Sequence, residues 1–245
     1  DKLFQIMQKN VQKMSINYSP NFDIKKRSIS KLKYLVFHYT GMRSENAAIK
    51  RLTNKSSKVS CHYFIKRSGE IIKMVPDLYI AWHAGISSWK KNKSLNLNSI
   101  GIEISNPGHR YGYKKFNKKQ IQILINLLKK LINKFKISPK NILGHSDIAP
   151  QRKKDPGEKF PWKTLARKKV SIWHKINPKI LSKLRNQKCS KKDNISFVYN
   201  LKKIGYSKCP EKYLVKAFQM RFRPELINGK IDKECLEISK SIVKA

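Results

Sequence analysis

A chain of 245 residues, 40% of them hydrophobic, is long enough to bury one or two cores, and with 10 Gly and 10 Pro it is neither collagen-like nor a Pro/Gly-rich disordered polymer. Lys+Arg 55 against Asp+Glu 15 gives a net charge of +40, and the 4 cysteines are too few for a disulfide scaffold. No run approaches the roughly 18 apolar residues of a membrane span, so no transmembrane segment is expected in this strongly basic, folded chain.

The sequence starts at Asp1 rather than Met and carries no secretory h-region, so a processed or trimmed start is expected. Leu3, Phe4, Met7, Val11 and Met14 recur at helical spacing, which predicts an amphipathic segment over residues 1–15 that packs on the body, with a membrane-surface helix as the alternative. The β-forming run 34–39 (YLVFHY) predicts a buried strand with His38 at its end. Residues 44–55 carry Ala47, Ala48, Ile49 and Leu52, a short helix capped by Ser44. Segments 61–66 and 70–75 flank Arg67-Ser68-Gly69 as a hairpin. Ile100, Ile102 and Ile104 alternate with Gly101, Glu103 and Ser105, a strand with one aliphatic face. Ile121, Leu124, Ile125, Leu128, Leu131, Ile132 and Phe135 share one stripe behind Asn117 and Gln120, which are spaced as a capping box. The mixture predicts an α/β domain over residues 16–175, with a mixed central sheet flanked by helices. Pro178 and the polar run 186–192 predict a linker over 176–192. Helical patterns at 195–206, 210–222 and 231–243, with Asn228-Gly229 as a turn, predict a small three-helix domain over 193–245.

Two imidazoles and a carboxylate, His38, His145 and Asp155, make a zinc set with a fourth coordination position open, where a water's pKa would fall and a carbonyl would be polarised. Spacing alone does not single them out, because a strand-end histidine is more often structural and 6 His with a few Asp offer other triples. Glu103 lies between Ile102 and Ile104 in a segment that otherwise reads as core. A lone buried carboxylate is costly, so Glu103 is paired, or faces a polar cleft as a general base, or sits on a solvated sheet face.

Five motifs follow one another along the chain: His38-Tyr39-Thr40 after an aliphatic strand, Cys61-His62-Tyr63-Phe64-Ile65, Ala81-Trp82-His83-Ala84-Gly85, Ser99-Ile100-Gly101-Ile102-Glu103, and Gly144-His145 leading to Lys153-Lys154-Asp155-Pro156-Gly157. Over residues 16–165 they resemble the zinc-dependent N-acetylmuramoyl-L-alanine amidases of the amidase_2 family, the AmpD/AmiD group. The tail, with Leu201, Gly205-Tyr206, Ala217-Phe218-Gln219, Phe222-Arg223-Pro224 and Asn228-Gly229-Lys230-Ile231-Asp232, is similar to three-helix peptidoglycan-binding domains.

The resemblance implies an enzyme with one Zn2+ per chain, held by His38, His145 and Asp155. It implies Glu103 as the catalytic carboxylate, Lys153 as the cation that stabilises the oxyanion, and His62, Trp82 and His83 as walls of the substrate pocket. Lys154 beside Lys153, and Asp147 beside His145, stay open as alternatives for the cation and the carboxylate ligand. The reaction implied is hydrolysis of the amide between N-acetylmuramic acid, linear or 1,6-anhydro, and L-alanine of the stem peptide. A non-catalytic peptidoglycan-recognition module of the same fold is the alternative.

Peptidoglycan or muropeptides are the implied partners of a monomer in the periplasm or cell envelope, with peripheral envelope association and with the cytoplasm as the alternative compartment. The charge by itself does not name a nucleic acid: Lys, Asn and Ile all have A/T-rich codons, and the basic residues are scattered over the whole chain. With no basic stripe of interleaved aromatics and no known reading module, no specific nucleic-acid partner is expected, although attraction to polyanions follows from the charge. His109, in a Pro107-Gly108 loop, reads as a surface residue and His174 as structural or exposed. Cys61, Cys189, Cys209 and Cys235 lack zinc-finger spacing, and an oxidising compartment could pair Cys189 with Cys209 or Cys235.

Overall fold

Period-two patterning along the strands decides which sheet face meets a helix and which is left for chemistry. The computed structural model describes residues 13–244. Its strands are β1 (Met14–Ile16), β2 (Phe22–Asp23), β3 (Tyr34–Tyr39), β4 (Tyr63–Ile65), β5 (Ile71–Lys73), β6 (Ile80–Ala81), β7 (Ser88–Trp89), β8 (Asn92–Lys93), β9 (Ser99–Ile104) and β10 (Ile142–Gly144). Its α-helices are α1 (Glu45–Thr53), α2 (Lys118–Phe135), α3 (His145–Ile148), α4 (Trp162–Arg167), α5 (Pro178–Leu184), α6 (Lys191–Ile204), α7 (Glu211–Phe222) and α8 (Lys233–Lys244). None of the described helices is long and apolar enough to cross a membrane.

Six strands form the expected mixed sheet in the order β1-β5-β4-β9-β3-β10. Every junction is parallel except β4–β5, the hairpin around Arg67-Ser68-Gly69. On one face, Leu35 and Phe37 of β3, Ile100, Ile102 and Ile104 of β9 and Ile142 of β10 pack on Leu124, Leu128 and Leu131 of α2. That helix starts at the expected capping box: Asn117 Oδ1 accepts from the Gln120 N–H at 2.8 Å, and Gln120 Oε1 accepts from the Asn117 N–H at 3.3 Å. Ser44 likewise caps α1, its Oγ accepting from the Ala47 N–H at 3.1 Å.

The opposite face is divided. Phe64 and Ile72 pack on Ala48 and Leu52 of α1, while Tyr34, Val36 and Leu143 pack against the C-terminal helices. Between these two clusters the same face carries Ser99, Gly101 and Glu103 of β9 and His38 of β3. There a cleft opens.

Two expectations need correction. Met14 belongs to a strand, because the open edge of β5 captures it in extended form: β1 pairs parallel with β5, Met14 opposite Ile71, and the Ile71 N–H donates to Lys13 O at 3.0 Å. The rest of the amphipathic pattern, Leu3 to Val11, lies outside the described residues. Residues 176–192 are not an extended linker. Asn177 caps α5 with Pro178 at its start, Leu181 is buried, and Arg185 grips Glu234 with two bonds of 2.7 and 2.8 Å. The stretch reads as a linker because most of this short helix faces water. The four cysteines, whose pairing the sequence leaves open, are free.

The three C-terminal helices stand close to where their periodicity puts them, yet they share their core with the sheet. Phe197, Leu201, Phe218 and Ile238 form one apolar cluster with Tyr34, Val36, Trp89 and Leu143. Deleting residues 190–245 would expose those sheet residues to water. The shortened chain is expected to lose its cooperative thermal transition. Calorimetry showing a transition within about 5 °C of that of the full chain would contradict this coupling.

Candidate active site

β3 and β10 are parallel neighbours, so their carboxyl ends meet at one edge, where open α/β sheets carry their ligands. His38 is the penultimate residue of β3, and His145 follows β10 directly as the first residue of α3. Asp155 arrives from the loop beyond α3, which is tied back by a 2.8 Å bond from the Ser146 N–H to Asp155 O. The three side chains converge: His38 Nδ1 and His145 Nδ1 lie 2.8 Å apart, and each lies 3.0 Å from Asp155 Oδ2. All three are buried.

Hydrogen bonds on the far side of each ring determine which nitrogen is bare. Ser99 Oγ donates to the Leu95 carbonyl, so it accepts from His83 Nε2–H at 3.1 Å. A neutral His83 then offers a bare Nδ1, and His38 Nε2–H donates to it at 3.0 Å. His145 Nε2–H donates to Ala84 O at 3.1 Å. Both imidazoles therefore turn an unprotonated Nδ1 toward the same point. Burial, reinforced by His145, pulls the His38 pKa down to about 4, and burial with His38 nearby pushes His83 well below the ordinary histidine range.

Two lone pairs and a carboxylate aimed at one point repel one another unless a cation lies between them, so this donor set fits a metal. Two imidazole nitrogens and one carboxylate oxygen suit zinc, and both rings carry the outer hydrogen bond that orients metal-binding histidines.

Glu103 stands beside this cluster because the parallel register pairs His38 with Glu103 across β3 and β9. Its Oε2 is shielded from solvent and has no hydrogen-bond partner. Burial first, and the Asp155 charge second, push its pKa well above the ordinary range, while Lys153 pulls the other way. Its place is thus the polar cleft rather than a solvated sheet face. The cleft, about 720 Å³, is lined by His38, Glu103, His145, Lys153 and Asp155. Lys153 and Lys154 both reach the wall. Lys153 is half-buried and its charge acts on both Glu103 and His38, whereas Lys154 is exposed.

The other expected residues divide. Trp82 lines the cleft and is held by its Nε1–H donating to Asp23 Oδ1 at 2.8 Å. His83 also lines it, and its ring nitrogens are spent on His38 and Ser99, so it supports the cluster rather than serving only as a wall. His62 is not a wall. It is fully buried beside Gly101 of β9, accepting from the Gly101 N–H at 3.0 Å and donating to Tyr79 O at 3.0 Å, with the Arg27 guanidinium beside it. Burial and that guanidinium lower its pKa to about 3. Asp147 is not in the cluster either, because its carboxylate is taken by Tyr206 Oη at 2.6 Å, Arg221 Nη1 at 2.6 Å and the Gly144 N–H at 2.7 Å. His109 is exposed, as expected of a surface residue, and bridges Tyr39 Oη and Glu158, both at 2.9 Å.

Two features escape sequence reasoning. Arg43, Arg51, Arg110 and Arg152 join Lys153 and Lys154 on the cleft wall, and in a chain this basic nothing in their spacing marks them. Gly101 looks like any strand glycine. A Cβ there would lie 2.3 Å from His83 Cγ, so the His83 ring occupies the space its missing side chain leaves.

A family model described as N-acetylmuramoyl-L-alanine amidase matches residues 28–158. The chain is 35% identical to N-acetylmuramoyl-L-alanine amidase AmiD of Escherichia coli (strain K12), over 87% of this chain and 83% of that protein. Its structure superposes on that of E. coli AmiD in complex with anhydro-N-acetylmuramic acid-L-Ala-D-gamma-Glu-L-Lys with a TM-score of 0.76, at 33% identity and 91% coverage of each chain. The crystal structure of AmpDh3 from Pseudomonas aeruginosa superposes with a TM-score of 0.76, at 29% identity over 94% of this chain and 98% of that one.

Gly101→Ala forces the His83 ring away from His38. The variant is expected to bind zinc about tenfold more weakly in a chelator competition and to lose roughly 1–3 kcal/mol of stability through overpacking. Unchanged zinc affinity would remove His83 from the support of His38.

Proposed function

The chain belongs to the N-acetylmuramoyl-L-alanine amidase family, and from that membership we propose that it is a zinc-dependent hydrolase of the amide between N-acetylmuramic acid, linear or 1,6-anhydro, and the L-alanine of the stem peptide. The observation that carries the reading is the convergence of two bare imidazole nitrogens and Asp155 beside Glu103, whose Oε2 is shielded from solvent and has no hydrogen-bond partner. The substrate class is supported by the anhydromuramoyl peptides in the complexes of E. coli AmiD and P. aeruginosa AmpDh3.

His38, His145 and Asp155 hold the zinc, which when bound acts as a Lewis acid on the amide carbonyl and lowers the pKa of water. Glu103 accepts a proton from the attacking water as its oxygen adds to the lactyl carbonyl carbon. The raised proton affinity of this carboxylate suits it to that role and to returning the proton to the nitrogen of L-alanine as the C–N bond breaks. Lys153 faces the negative charge that develops on the carbonyl oxygen and stabilises it. Trp82 and the arginines of the cleft wall hold the glycan and stem peptide around the reacting bond. The products are a muramoyl carboxylate and a stem peptide with a free amino terminus. We place this activity in the cell envelope, where the C-terminal helices also hold polymeric substrate, with cytoplasmic recycling of soluble muropeptides as the alternative.

Glu103→Gln is expected to keep one zinc per chain and to lower release of free L-alanine amino termini by about 10²–10⁴-fold. Lys153→Met should reduce kcat by about 10²-fold with a smaller change in KM. Mass spectrometry of products from sacculi and from soluble anhydro-muropeptides, with and without chelator, reads both. Turnover retained in Glu103→Gln would sink the role given to this carboxylate, and binding of muropeptide without any cleavage by the wild-type chain would favour a recognition module instead.

A further inference from the structure

His145 sits on a turn of minimal length, since β10 ends at Gly144 and α3 begins at His145. Asp147 closes that turn by accepting the Gly144 N–H, and its carboxylate is itself held from far along the chain. Arg221 of α7 donates from Nη1 to Asp147 Oδ2 at 2.6 Å and from Nη2 to Ile142 O at 2.9 Å. One planar guanidinium thus spans the strand before His145 and the helix that carries it. Tyr206, just after α6, donates to Asp147 Oδ1 at 2.6 Å. All three side chains are buried, with 1% of Asp147, 2% of Arg221 and 4% of Tyr206 exposed.

The same guanidinium lies over the Trp162 ring, 4.4 Å from its centroid. Trp162 and Pro156 also close on Gly144: a Cβ at that glycine would lie 3.4 Å from Trp162, 3.5 Å from Asp147 Oδ2 and 2.7 Å from Pro156, the residue after Asp155. The contacts therefore back onto both segments that deliver ligands, His145 through Asp147 and Asp155 through Trp162 and Pro156.

We infer that Arg221 and Tyr206 are positioning residues for the metal centre, and that the helical lobe completes the ligand geometry as well as any hold it has on polymer. This rests on the zinc-amidase reading above. The rigid guanidinium fork matters, because lysine would keep the charge but could not bond Asp147 and Ile142 together. On this inference the lobe matters for metal affinity even when the substrate is small and soluble, where tethering to a polymer contributes little.

The test uses the full-length chain and zinc itself. Tyr206→Phe removes one hydroxyl, Arg221→Lys removes the span, and Leu214→Ala perturbs the lobe core as a control that leaves the Asp147 contacts in place. Zinc dissociation constants from chelator competition, thermal melts and the visible spectrum of the cobalt-substituted protein are measured for each. Tyr206→Phe and Arg221→Lys are expected to weaken zinc binding by up to about tenfold and to alter the cobalt bands, while Leu214→Ala lowers Tm with wild-type zinc affinity. Wild-type affinity and spectrum in Tyr206→Phe would overturn the inference, and that variant alone decides if Arg221→Lys does not fold. Equal weakening by Leu214→Ala at equal loss of Tm would overturn it as well, by reducing the effect to general destabilisation. A wild-type chain that binds no zinc would overturn the functional reading and this inference with it.

Discussion

Two ring nitrogens 2.8 Å apart, each presenting a lone pair to the other, are the constraint on which the rest of the site depends. Such an arrangement persists only while both rings stay neutral and are locked from behind, and it is unfavourable unless a cation can sit between them. At His38, burial supplies the first condition. The chain from His38 through His83 and Ser99 to the Leu95 carbonyl, and the bond from His145 to Ala84 O, supply the second. Asp155 adds the negative charge that makes the point attractive to a divalent ion. Even the glycine at 101 serves this constraint, because it leaves room for the ring that anchors His38.

Electrostatics around that point act in two ranges. Close in, Asp155 and burial raise the proton affinity of Glu103, and Lys153 moderates it. Farther out, Arg43, Arg51, Arg110 and Arg152 join Lys153 and Lys154 to make the cleft wall cationic. A cationic concave wall raises the local concentration of anions, and the carboxylates of a stem peptide match it. In a chain carrying +40, such steering weakens with salt for exposed groups such as Lys154 and persists for the buried pairs.

The helical lobe and the sheet are joined by a shared apolar cluster and by the buried Asp147–Arg221 ion pair. Buried ion pairs contribute little net stability but penalise every arrangement in which the partners miss each other. Here that penalty falls on the short turn carrying His145, so the docking of the lobe and the aim of one ligand are set together.

Local signals were legible along the chain. The YLVFHY run, the Ile100/Ile102/Ile104 alternation and the Asn117–Gln120 capping box each depend on neighbours a few residues away, and each element formed where its pattern lies. The motifs around His38, Glu103, His145 and Asp155 were legible as well, and the register of β3 on β9 with the junction of β10 and α3 brings those four together. His62 and His83 were indistinguishable by type; the structure separates them because one is spent on the Gly101 backbone away from the cleft and the other fills the space over Gly101 and lines the cleft. Asp147 looked like a spare ligand because its partner Arg221 lies 74 residues on, and residues 178–184 looked like linker because the face that packs is a single leucine wide. By itself, then, the sequence determined element types, caps and the identity of the chemical groups, since those follow from local periodicity and side-chain chemistry. Only the tertiary structure decided which nitrogen of each histidine is bare, which lysine's charge acts on Glu103 and which arginine braces the site, because each of those depends on strand register and on contacts between residues far apart in the chain.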